Sequence, residues 1–495
     1  MKSVINILVF TTALLIEGCD DYLYKEPIGL LTPDQVNTDP TLTSVEYSVR
    51  SSYQLLSSTL NIIGEWGWDD GIVTRDDFIL HDIASDDMQK KWNPDGDQAW
   101  MDELDNFNFT ASNGAFNGIW SYDYEGIART NLAISYLTDE TVVNKIGIET
   151  GMRNRLLGEV CFLRAFYYFD LVVNFGDVPL LLSPLKDFSE AYDVAERTAK
   201  DTVWEQISSD LEDAAILLPD SKYSDDNERW RASKGAAIAM QAKVALYNQQ
   251  WQDVIDLVDE LDALGFYDLN DHYFDSFSEE KEFAEDEVIF AYDHQSGTTP
   301  RKGNGLCALL GWGFVAPENN FINAFEPNDP RLLYTVNTEE QAVYKILGDT
   351  TTNNRGNDDS PSNKVFIRWA DVLLWKAEAY LESENYSGAI ALINQVRERA
   401  RNTPAIDGSL SPAGTLPERN TSVTDKNQVK EWLMHERRVE LGFESHRFND
   451  LKRWNIAKEV LVAQGKNFQD HNYLYPIPQG EIDKSGGSIT QNIHY

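Results

Sequence analysis

His435–Trp454 reads HERRVELGFESHRFNDLKRW, and it is followed by YPIPQGEI (Tyr475–Ile482) and a closing QNIHY (Gln491–Tyr495). Apolar and aromatic side chains recur here at helical spacing until Pro476 and Pro478, which no helix interior accepts. Leu441, Phe443, Phe448, Leu451 and Trp454 are expected on the buried side of a helix-turn-helix. Arg437, Arg438, Arg447, Lys452 and Arg453 are expected to turn outward as acid-binding forks or to enter ion pairs.

Upstream, helical periodicity dominates. Trp120, Tyr124, Ile127, Asn131, Ile134 and Leu137 step by three and four through one amphipathic helix. A second runs from about Arg153 to Val173 and stops before Gly176 and Pro179. Further helices are expected over about 203–217, 234–248, 251–264, 369–382, 386–401 and 428–443. Two neighbouring pairs have tetratricopeptide-like spacing: Leu373, Ala377, Tyr380, Ala389, Ile393 and Val396 in one, and Ala242, Ala245, Trp251, Val254 and Val258 in the other. They stand about 135 residues apart, whereas a tandem array would repeat near every 34. Paired helices interrupted by insertions fit this spacing better. The insertions, about 64–117 and 265–366, mix Gly, Pro, Asn, Asp and aromatics without a sustained period. Loops of that length inside a compact domain usually serve function. The expected architecture is mostly α: a tetratricopeptide-like helix-pair scaffold from about 118–264 and 367–455, with long irregular insertions and a few short strands, in one domain over 19–495.

The 495 residues include 81 acids against 42 Lys and Arg, a formal charge of −39. Such a surface repels phosphate backbones, so nucleic acid is not an expected partner. Cys161 and Cys307 fall in no CxxC or CxH pattern, and no zinc site is expected. Cys161 lies in an apolar helix and reads as a small buried hydrophobe.

Sugars present apolar C–H faces rimmed by hydroxyls, so a site for them needs exposed rings with amides and carboxylates alongside. The first insertion offers Trp66, Trp68, Trp92 and Trp100 near Asp69 and Asn93. The second offers Trp312 and Phe314 inside Gly311-Trp-Gly-Phe, where flanking glycines leave a ring open. Most tryptophans are largely buried, and Trp120, Trp204, Trp251, Trp369 and Trp375 are expected in helix packing. Asn93-x-Asp95-x-Asp97 starts like a calcium loop, but Gln98 stands where Gly is needed and Leu104 where Glu is needed, so no metal is expected. No HExxH, GxSxG, GxGxxG or Walker A spacing occurs, and no motif selects a carboxylate pair. No catalytic residue and no cofactor are expected. A helical glycoside hydrolase and a scaffold docking a non-glycan nutrient remain the alternative readings.

Lys2 precedes an apolar run over Val4–Ile16, too short to span a bilayer and placed like a secretory signal, with Gly18-Cys19 at its end. The junction looks like a bacterial lipobox, giving a signal over 1–18 and lipidation at Cys19; Glu17 is unusual there. Together with DDYLYKEP (Asp20–Pro27), FLRAFYYFDL (Phe162–Leu171), FGDVPL (Phe175–Leu180), Asp329-Pro-Arg331, the ERRVELGFE block and the terminal QNIHY, the chain resembles the SusD/RagB family over essentially its whole length. QNIHY departs from the family's more usual QN-Pro-Gly-Tyr. The resemblance implies a non-enzymatic, glycan-binding outer-membrane lipoprotein facing the exterior. It implies an oligosaccharide or polysaccharide ligand and a SusC-like TonB-dependent transporter as partner. In Asp329-Pro-Arg331 and Arg164 the residues themselves point to structural charge pairs.

Overall fold

The computed structural model describes residues 40–64, 67–91, 97–185, 194–351 and 353–495. Ten helices carry the architecture: α1 (Leu42–Tyr53), α2 (Gly114–Thr138), α3 (Thr150–Phe175), α4 (Lys200–Leu217), α5 (Lys234–Tyr247), α6 (Trp251–Ala263), α7 (Trp369–Glu382), α8 (Tyr386–Asn402), α9 (Lys426–Glu440) and α10 (Arg447–Arg453). Local chemistry starts several of them. Asn113 caps α2 through the Ala115 N–H, Ser233 caps α5 through Ala236, and Asn385 caps α8 through Gly388. Neighbours in sequence then pack in order: α1 on α2, α2 on α3, and so on through α4, α5 and α6.

The two tetratricopeptide-like pairs, distant in sequence, are neighbours in space, because α6 packs on α7. The insertion between them is therefore looped out from adjacent repeats. α7, α8 and α9 enclose a satellite core of Leu374, Ala377, Leu381, Ile390, Ile393, Val396, Val429 and Leu433. One large core joins the remaining helices to α7, taking in Trp120, Trp369 and Trp375. No helix among the described residues is long and apolar enough to cross a membrane.

Among the described residues, strands form two-stranded antiparallel ladders: β1 (Met88–Lys90) with β5 (Val315–Pro317), β2 (Val178–Pro179) with β3 (Arg197–Thr198), β4 (Val288–Tyr292) with β8 (Lys364–Arg368), and β6 (Val336–Asn337) with β7 (Ala342–Val343). The first of these joins one insertion to the other, with Met88 opposite Pro317 and Lys90 opposite Val315. The insertions are less irregular than their sequence suggests. The first holds a short helix, Ala99–Asp105, and α2 already begins at Gly114 within it.

Of the two expectations for the arginine-rich block, ion pairing holds: its arginines do not project outward but are paired with acids. Arg437 bonds Asp450 and Asp371, both at 2.8 Å, and Arg447 bonds Asp86 at 2.7 Å. Arg438 reaches Asp87 at 2.6 Å. Lys452 lies over the Phe448 and Tyr475 rings. Glu436, Glu440 and Glu444 recur every four residues and meet cations from remote segments. Glu436 takes Arg331 at 2.7 Å and Arg397 at 3.1 Å; Glu440 takes Arg331 at 2.9 Å, Arg368 at 2.7 Å and Arg399; Glu444 takes Arg368 at 2.7 Å and Lys345 at 2.5 Å. Burial alone would raise the Glu440 carboxyl, but Arg399, Arg368 and Arg331 hold it well below the usual carboxylate range. Asp329-Pro-Arg331 is thus one strut of this network, and Arg164 forks onto Asp210 at 2.6 and 2.8 Å. Trp454 is only half-buried and donates to Glu378 at 2.9 Å. Cys161 and Cys307 are both buried free thiols.

Candidate functional site

Trp68, Trp312 and Phe314 come together from the two insertions. Their ring centroids lie 6.0 Å (Trp68–Trp312), 6.4 Å (Trp68–Phe314) and 6.3 Å (Trp312–Phe314) apart. The interplanar angles are 59°, 39° and 79°, so the rings form a faceted surface rather than a flat one. Trp68 and Phe314 are half-buried and packed against the core, whereas Trp312 is 47 % exposed, the only Trp among the large exposed hydrophobics of the described residues.

The backbone fixes each ring. Trp68 sits in a tight turn whose carbonyl accepts from Gly71 N–H at 3.0 Å, while Ile72 N–H returns to the Gly67 carbonyl at 3.2 Å. Gly71 has φ +70°, and a Cβ there would come within 1.9 Å of the Gly114 carbonyl oxygen. Only glycine lets this turn press onto the start of α2. Trp312 closes the short helix Leu306–Gly311, donating its N–H to the Ala308 carbonyl at 2.8 Å. Gly311 rests directly on Gly356, with room for no side chain, and the Arg355 carbonyl carbon lies 2.7 Å from its absent Cβ. Phe314 directly precedes β5; its carbonyl accepts from Lys91 N–H at 2.7 Å, which extends the β1–β5 ladder.

Charged groups flank the rings on two sides. Asp69 and Asp70 are exposed beside Trp68, and Asn117 of α2 steadies the Asp70 carbonyl at 2.8 Å. On the Phe314 side, the buried Lys90 ammonium lies 5.5 Å from the ring centroid. Lys91 reaches the tip of the β6–β7 hairpin, donating to the carbonyls of Glu340 at 3.1 Å and Gln341 at 3.5 Å. Arg355 pairs with the Glu340 carboxylate. Partial burial, then the Arg355 charge, lowers the Lys91 ammonium from its ordinary value.

Of the residues expected at a glycan site, the structure brings Trp68, Asp69, Trp312 and Phe314 to one surface. Trp100 is not part of it: its ring is 7 % exposed, sits in the core and donates to Gln98 at 2.7 Å. The reason is the helix Ala99–Asp105, which turns Trp100, Met101 and Leu104 inward together. Trp66, Trp92, Asn93 and Cys19 lie outside the described residues. Lys90, Lys91 and Arg355 carried no motif in the sequence; strand pairing brings Lys90 under Phe314 and the Lys91 backbone onto it, and the Gly311–Gly356 contact brings the Arg355 backbone beside Gly311. Among the described residues, no group of three or more His, Cys, Asp or Glu could hold a metal.

Two family models match the chain: the SusD family over residues 342–495, and the SusD-like family described as starch-binding and associating with the outer membrane over residues 42–246. The chain belongs to the SusD/RagB family. Among its relatives, SusD-like protein P2 of Formosa agariphila is 26 % identical across 97 % of this chain and 98 % of its own. A solved laminarin-binding SusD-like protein is 25 % identical, with TM-score 0.72, covering 92 % of this chain and 100 % of its own. Surface glycan-binding protein A from Bacteroides thetaiotaomicron, solved with laminarihexaose, shares the fold at 21 % identity and TM-score 0.72, covering 91 % and 99 %. The matched family's description and both solved proteins name carbohydrate binding, not enzymatic activity.

Proposed function

We propose that this SusD/RagB protein captures an oligosaccharide or polysaccharide at the outer-membrane surface through Trp68, Trp312 and Phe314, and passes it to a SusC-like TonB-dependent transporter. The half-exposed Trp312 ring, seated against two other aromatics and held by backbone contacts, is the observation that carries this reading. Rings supply apolar area for sugar faces, and Asp69 supplies an acceptor for hydroxyls. The tilts between rings suit a glycan that turns from one residue to the next better than a flat ribbon. Lipidation at Cys19 would tether the chain, with the two insertions as its ligand side and the helix pairs facing the transporter.

Calorimetric titration of the chain from residue 20 onward against neutral plant, host and microbial oligosaccharides, with reducing ends assayed in parallel, tests the reading. Micromolar-to-millimolar binding is expected for at least one class, with no new reducing ends, and Trp312→Ala should weaken it by about 1–3 kcal/mol. Binding that ignores the loss of Trp312 would remove this surface as the site. Co-purification of the transporter with the lipidated chain, lost in Cys19→Ala membranes, tests the assembly.

A further inference from the structure

Most arginine in this chain is drawn inward. Arg75, Arg331, Arg368 and Arg397 are among its largest fully buried side chains, each held by carboxylates. The chain as a whole carries −39, so its surface is left chiefly to acids and repels an anionic ligand almost everywhere. The Phe314 edge of the aromatic surface departs from that pattern. Lys91 is fixed there by its backbone bond to Phe314, and Arg355 by the packing of its backbone on Gly311, the residue before Trp312. Both cations converge on Glu340 at the hairpin tip, Lys91 through its carbonyl and Arg355 through its carboxylate. Among the described residues, charges near this edge include Glu339 next to Glu340 in the hairpin, the buried Lys90 beneath Phe314, and Asp69 and Asp70 beside Trp68.

Resting on the reading that this surface binds glycan, we propose that its ligand is an anionic glycan, carrying carboxylate or sulfate groups, whose charge lies over Lys91 and Arg355 while its sugar faces stack on Trp312 and Phe314. Lys91 and Arg355 are both tied to Glu340, so an anion laid over them meets two neighbouring cations; the Lys91 ammonium is lowered by partial burial first and by the Arg355 charge second. A guanidinium additionally offers the planar fork that carboxylate and sulfate accept. The acidic lip at Asp69 and Asp70 then favours a ligand with neutral stretches between its charges over one charged on every residue.

The test titrates the protein with laminarihexaose, an alginate hexa-uronate and a κ-carrageenan hexasaccharide, each at low and high salt. One charged hexasaccharide is expected to bind at least ~10-fold tighter than laminarihexaose, with an advantage that shrinks in salt; which one wins separates uronate from sulfate. Lys91→Met with Arg355→Met should erase that advantage and leave any laminarihexaose binding unchanged. Glu340→Gln, which removes the acid between the cations, should tighten charged binding several-fold, a gain that misfolding cannot produce. Charged and neutral glycans binding equally, or an advantage that survives the double change, overturns the inference. If Trp312→Ala weakens glycan binding while the Lys91, Arg355 and Glu340 changes do nothing, the site stands and only the anionic preference falls. If Trp312→Ala leaves all binding intact, the site reading falls and takes this inference with it.

Discussion

The arginine block and the aromatic surface use the same kinds of side chain for opposite ends. In the block, guanidinium groups are buried among Glu436, Glu440 and Glu444, where each charge is held by partners from distant segments. At the aromatic surface, Trp312 is left with half its surface in solvent, and what is held there is the backbone beneath it. A buried ion-pair network binds elements into one geometry and leaves nothing to offer a ligand. A ring on a rigid turn contributes little to the core and keeps its area for binding. The charge reversal that would be tolerated on a surface is therefore ruinous in the block, and the truncation that empties the binding surface should scarcely touch stability.

The largest effect expected from this contrast is at Glu440. Glu440→Gln leaves Arg331, Arg368 and Arg399 buried around a neutral amide, and removing one partner from such a network costs about 3–5 kcal/mol. Chemical denaturation should show the loss; a change below 1 kcal/mol would mean that water reaches these cations and that the block is not the lock described. Trp100→Ala is the next test, costing about 3–5 kcal/mol as a large core truncation. Trp312→Ala should instead leave the unfolding midpoint nearly unchanged and weaken glycan binding by about 1–3 kcal/mol. If the two tryptophans behaved alike, the division between core and binding surface would fail.

That division was only half legible in the sequence. Helix spacing located the long helices to within a few residues, because apolar periodicity reports the face that must be buried. It also gave the pair repeats, though not that α6 and α7 meet across a looped-out insertion. Trp68, Trp312 and Phe314 stood out for their Gly- and Asp-rich surroundings, yet Trp100 shared those surroundings and is core. What separates them is a seven-residue helix, Ala99–Asp105, too short to show a period. The arginine block shows a different limit. Its residues were conspicuous, but periodicity says nothing of whether Arg437 or Arg447 meets water or Asp86, because those acids lie in other parts of the chain. The backbones of Lys91 and Arg355 are tied to Phe314 and Gly311 by strand pairing and a glycine contact, which leave no local signature at all.

Acid should loosen the block. Glu444 is raised by burial but pulled down more strongly by Arg368 and Lys345, to about 2 from an ordinary 4.5. A carboxyl with a depressed folded value contributes stability that is fully present above pH 4.5 and is lost as pH falls toward 2. Glu444→Gln should therefore be less stable than the parent at pH 6 and converge on it near pH 2. Parallel stability curves across that range would show that Glu444 is not held ionised by its partners.

The second insertion runs the other way. Glu282 is raised to about 8 from an ordinary 4.5, first by burial and then by the nearby Asp293 and Glu279, and its Oε1 lacks a hydrogen-bond partner within the protein. A carboxyl whose folded value is raised binds its proton more tightly in the native chain, so its contribution is present below pH 4.5 and declines as pH rises to about 8. The parent protein should then lose thermal stability across that window relative to Glu282→Gln, which carries no charge to suppress. Equal slopes for the two proteins would place Glu282 in solvent and remove the difference in sign between block and insertion. A steeper fall in the parent would show that the second insertion holds a carboxyl against its preference, whereas the block holds Glu440 and Glu444 in the state they favour.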